Sequence, residues 1–232
     1  MKLFFAFSFF LCYSEIMKRL FLLFLLLSVS PVFAQNATHF CTSMTSRIHI
    51  KARPGNPQYI TQYSRKDFLR KTGGDFSQYT LGLTVSKLDV NIEIKPAITQ
   101  QLSEICVGIQ DVEVELKYPS IQVYIDKKYP PSSCEYQVIK EHEDYHVAVA
   151  QQALTFFKPD VERVVSDTLR GMTPKIVYSR SDIAHVVERQ VKVLTNALQP
   201  VVKHINAKLA EKNKAIDTKE MYQATTAVCK NW

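Results

Sequence analysis

Ser132-Ser133-Cys134-Glu135-Tyr136-Gln137-Val138-Ile139-Lys140-Glu141-His142-Glu143-Asp144-Tyr145-His146 is the stretch on which the fold and the chemistry both turn. Pro130-Pro131 precede it, and Ser132 to Glu135 has the S-x-x-E spacing of a capping box, so a helix starts there. No Gly or Pro follows until Pro159. Apolar side chains recur at Val138, Ile139, Tyr145, Val149, Ala150, Leu154 and Phe157, which predicts one buried helical face over 132–157. His142 and His146 lie four residues apart, on one face of that helix and pointing inward with it. Two imidazoles so placed can grip one metal ion, and Glu143 stands beside the first of them.

The run His142-Glu143-Asp144-Tyr145-His146 resembles the His-Glu-x-x-His motif of the zincin metallopeptidases, and the chain is similar to small secreted zinc-dependent proteases of unknown substrate. The resemblance rests on these five residues and on a sheet-then-helix order around them. It implies Zn2+ on His142 and His146, with Glu143 as general base for attack of activated water on a peptide bond. It also implies an edge strand above the motif helix to which substrate adds, and Ser120 to Asp126 is the last strand before that helix. Asp144 departs from the uncharged residues usual before the second His.

Upstream, the pattern is that of strands. Ile48 and Ile50 alternate with charged residues; so do Leu88, Val90, Ile92 and Ile94, then Val112, Val114 and Leu116, then Ile121, Val123 and Ile125. Pro96 ends one strand, and 97–104 reads as a connector. Alternation this strong predicts a twisted, mostly antiparallel sheet with one wet face, covered on the other by the motif helix. The fold class is therefore α+β, zincin-like, with a sheet first and a helical half after it.

Downstream, Pro159 suits the first turn of a second helix running to Gly171. A loop over 172–180 leads to a long helix, Ile183 to about Lys212, kinked at Pro200. Two His do not complete a catalytic zinc site; a third protein ligand is needed. From His146 to Lys158 a helix climbs roughly 18 Å at 1.5 Å per residue, so Glu162 folds back too soon. Asp167 comes closer, and the start of the long helix brings His185 and Glu188 into range, three apart on one face. Glu188 is the first choice, His185 the second and Asp167 the third. The donor to the developing oxyanion stays open, with Tyr145 one option among the tyrosines.

At the N-terminus, Met17-Lys18-Arg19, the apolar run Leu20 to Val29, and Val32-Phe33-Ala34 have the layout of a secretory signal. Residues 1–34 are read as that signal, with the true start at Met17, and 35–232 as a single domain. Loss of 1–34 removes three basic residues and one acid, so the net charge falls from +7 to +5. Lys and Arg are scattered, with no dense run for nucleic acid, and no stable membrane span is expected after cleavage. Cys41, Cys106, Cys134 and Cys229 remain, an even number that predicts disulfides and a periplasmic or secreted location. Cys229 would tie down the tail 217–232. The expected function is a secreted zinc-dependent hydrolase, a metallopeptidase acting on a peptide or protein. The alternative is a non-catalytic periplasmic metal-binding or envelope interaction module.

Overall fold

A proline and glycine break in two parallel strands sets the architecture. In the computed structural model, which describes residues 41, 44–73, 80–230 and 232, β1 (Arg47–Arg53) and β2 (Pro57–Ile60) run end to end across Pro54-Gly55-Asn56. β5 (Glu104–Lys117) and β6 (Ile121–Ile125) do the same across Tyr118-Pro119-Ser120. Gly55 has φ +67°, and a Cβ there would lie 2.4 Å from the Tyr118 carbonyl oxygen, so the two breaks meet only because this residue has no side chain. Helix α1 (Arg65–Thr72) follows β2, capped by Ser64 and ended by the left-handed Gly73. Strands β3 (Gly82–Ser86) and β4 (Asp89–Gln101) run in the opposite direction along the other flank.

The result is two sheets in matching order, β1-β5-β4 and β2-β6-β3. Both β1 on β5 and β2 on β6 are parallel; β4 on β5 and β3 on β6 are antiparallel. The fold is α+β as expected, but the sheet is split in two and mixed. β6 is the central strand of its sheet, so Ser120 to Asp126 is not an edge; among the described residues the edges are β2 and β3. Alternation records which face is buried and carries no information on pairing order, which is why β6 was misplaced. Nor is 97–104 a connector. Strand β4 continues through Pro96 by way of a bulge, which an edge strand tolerates, and turns at Leu102-Ser103 into β5.

One helix, α2 (Cys134–Arg170), covers 37 residues. Ser133, one residue past the expected cap, accepts the Tyr136 N–H at 3.1 Å. Pro159 does not start a new helix. Loss of one hydrogen bond costs roughly 3 kcal/mol, and burial of Phe157, Val161 and Val165 in one continuous stripe offsets it. Val112, Val114 and Leu116 of β5 share one core cluster with that stripe and with Leu194, Leu198 and Ile205 of α3 (Asp182–Ile216). Tyr145 is 54% exposed and lies off the stripe.

Between α2 and α3, a short strand β7 (Lys175–Val177) adds to the first residues of β5. Val186 packs with Ile105, Val107 and Val177, so α3 begins at that end of the sheet. The end of α3, not its start, returns to the motif, where α4 (Lys219–Ala227) is capped by Thr218. Cys134 and Cys229 form a disulfide, and Cys41 and Cys106 are also disulfide-bonded. Residues Met44–Trp232 form one compact unit. The signal reading of 1–34 lies outside the described residues. Among those described, no helix is long and apolar enough to cross a membrane.

Candidate metal centre

His142 and His146 point inward as their spacing predicts, 4% and 7% exposed. Their partner is Asp217, the C-terminal cap of α3. His142 Nε2 stands 3.1 Å from Asp217 Oδ1, and His146 Nε2 stands 3.0 Å from the same oxygen. All three ligand atoms lie within 4.8 Å of one another, so this group could hold a metal ion. The fit is geometric. Ligands on a tetrahedral ion at about 2.0–2.1 Å are roughly 3.3 Å apart, close to the separations seen here.

The residues expected to supply the third ligand are elsewhere. Glu188 and His185 face each other on an exposed turn of α3, 82% and 74% exposed. Asp167 pairs with Arg170 on the surface of α2. The expectation broke the motif helix at Pro159 and folded a short helix back from there; an uninterrupted α2 carries the turn much further away, and only the far end of α3 comes back.

Glu143 is buried beside the imidazoles, 2% exposed. Thr84 of β3 donates its hydroxyl to Glu143 Oε2 at 2.8 Å. A Cβ on Gly82 would lie 2.7 Å from Glu143 Oε1, so the strand reaches the carboxylate only as glycine. Burial pushes the Glu143 carboxyl above the usual range, opposed by His146, the Thr84 hydrogen bond and His142. Tyr222 of α4 donates to Asp217 Oδ1 at 2.8 Å, and its ring lies 5.0 Å from that of His142. A cavity of about 480 Å³ opens on Gly82, Thr84, Glu143, His146, Asp217 and Tyr222. Asp144 is used differently. It accepts from Tyr59 of β2 at 2.5 Å and from Lys140 at 2.7 Å, which pins the motif helix to the sheet edge.

Asp217 is 40% exposed; the part of it that is shielded from water would raise its carboxyl, yet hydrogen bonds from His142, His146 and Tyr222 hold it well below the usual range. Burial disfavours charge on His146, but Asp217, Glu143 and Asn213 outweigh it and raise its pKa to about 8. A raised pKa means that this stabilisation is complete below the ordinary value of 6.5 and is lost as pH rises through about 8. With metal removed by chelation, the protein is expected to lose about 2 kcal/mol of stability between pH 6 and 9. The urea midpoint reads this directly, and a midpoint that rises across that window would contradict it.

Sequence reasoning named His142, Glu143 and His146, which the structure brings together, and did not name Asp217, Tyr222, Thr84 and Asn213, which stand beside them. Asp217 and Tyr222 were taken as part of a tail. Comparison with protein-family models, curated proteins and solved structures finds no match to this chain.

Proposed function

We propose that this chain is a zinc-dependent hydrolase that cleaves peptide bonds outside the cytoplasm. The observation that supports this best is the convergence of two imidazole nitrogens and one carboxylate oxygen beside a buried glutamate, with His146, Asp217 and Glu143 lining one cavity. Zinc held by His142, His146 and Asp217 would supply a Lewis acid that polarises the scissile carbonyl and lowers the pKa of water at the open position.

The protein's own groups do the rest. Glu143 takes the proton from the attacking water and passes it to the leaving amine; its raised pKa suits both steps. Thr84 holds Oε2, which leaves Oε1, the oxygen beside Gly82, for that exchange. Tyr222 is the tyrosine that lines the cavity, so it replaces Tyr145 as the donor to developing negative charge, its hydroxyl turning from Asp217 to do so. An extended peptide can pair with the outer edge of β3, whose Gly82 and Thr84 already border Glu143. The disulfides fit an oxidising compartment, the periplasm or the medium.

One observation favours the second reading, a metal-binding module without turnover. Asp217 accepts hydrogen bonds from His142, His146 and Tyr222 together, so the group is already closed on itself. Both readings share a first test. Purified protein is expected to carry about one zinc per chain, and His142→Ala and Asp217→Ala to carry none. Absence of zinc from the wild type refutes both.

A further inference from the structure

The two imidazoles are not held alike. His146 is engaged on both sides, with Nε2 at 3.0 Å from Asp217 and Nδ1 at 3.1 Å from Asn213 Oδ1. His142 reaches Asp217 through Nε2, while its Nδ1 is buried without a hydrogen-bond partner. An amide oxygen offers only lone pairs, so the nitrogen facing it carries the proton. On His146 that nitrogen is Nδ1, so a cation that binds this ring displaces the proton that Nε2 donates to Asp217.

We propose that Asn213 is a positioning residue of the metal group: its side-chain carbonyl selects the tautomer and ring orientation in which His146 presents Nε2 beside Asp217. The proposal rests on the metal reading above. Asn213 is well placed for the task. It sits in the last turn of α3, and its backbone carbonyl accepts the Asp217 N–H at 3.0 Å. Asn213 and Asp217 are four residues apart, as are His142 and His146, so one pair faces the other across two helices. One residue thus holds one ligand through its side chain and the next through its backbone. A side-chain substitution removes the first hold and leaves the second, so Asp217 should remain in place.

Outer partners of this kind typically shift metal affinity 10–100-fold. The asymmetry also ranks the ligands, because His146 is held at both ring nitrogens before any cation arrives and His142 at one.

The test is zinc affinity of the purified full chain, read by competition with a chromophoric chelator. Asn213→Leu keeps the size and removes the acceptor; Asn213→Asp keeps an acceptor. The leucine variant is expected to bind zinc about 10–100-fold more weakly, and the aspartate variant to bind close to wild type. In the zinc-loaded wild type, nitrogen-edited NMR is expected to show a slowly exchanging His146 Nδ1–H that the leucine variant lacks. Equal affinity of the leucine variant and wild type overturns the proposal. So does an aspartate variant as weak as the leucine one, because that pattern reports fit, not hydrogen bonding. A wild type without zinc fails at the earlier step, and wild-type binding with an unchanged ratio fails only here.

Discussion

Glu143→Gln is expected to keep its zinc and to lose at least 10²–10⁴-fold in hydrolysis, the range that a positioned proton-transfer group supplies. The amide has the shape of the carboxylate but cannot take a proton from water. Glu143 is not among the three residues whose ligand atoms converge, so zinc content should not change. Folding should not suffer either. Burial makes the charged form of Glu143 costly, and a neutral amide in the same place, still bound by Thr84, relieves part of that cost. The measurement pairs zinc per chain with turnover of an unfolded protein substrate. Undiminished hydrolysis in the variant sinks the mechanism. Zinc retained by a wild type that cleaves nothing moves the chain to the binding-module reading.

The parts of the site legible in sequence are those encoded locally. His142, Glu143 and His146 follow from one helical period, and the serine cap, read one residue early at Ser132, the absence of glycine and the apolar spacing establish the helix that carries them. Asp217 is encoded only through tertiary structure. It lies 71 residues beyond His146 and reaches it because α2 runs on past Pro159, β7 sets where α3 starts, and α3 is long enough to return. An interior proline usually ends a helix, and here continuous burial on both sides overrides it. One signal for Asp217 was present. If Cys229 bonds Cys134, the segment 217–222 must pass within reach of His142, but that is one of three pairings that four cysteines allow. The sheet shows the same division. Alternation located β1, β4, β5 and β6, while strand order, parallel pairing and the break at Gly55 depend on contacts distant in the chain.

Removal of the Cys134–Cys229 disulfide is expected to cost both stability and metal. The bond spans 95 residues, a loop whose closure is worth about 4–5 kcal/mol on the chain-entropy account. At about 2–4 °C per kcal/mol, Tm should fall by roughly 10–20 °C for Cys134→Ser with Cys229→Ser. The effect on the site is more specific. The closed loop contains His142, His146, Asp217 and Tyr222, and it joins the first turn of α2 to the second residue past α4. α4 is short, buries only Tyr222, and depends on this bond to stay against the motif helix. Without it, Tyr222 leaves Asp217 and His142, and the carboxylate loses one of the three donors that aim it. Zinc affinity should therefore fall in the serine pair even at temperatures where it stays folded. The chain has one tryptophan, Trp232, whose indole N–H donates to the Cys229 carbonyl at 3.0 Å and whose ring meets Tyr129 edge-on at 5.8 Å. Its fluorescence separates local release from global unfolding: a red shift with unchanged far-UV circular dichroism marks the tail alone. Unchanged zinc affinity alongside that red shift would show that Asp217 is held by α3 alone, and that the C-terminal helix plays no part in the metal centre.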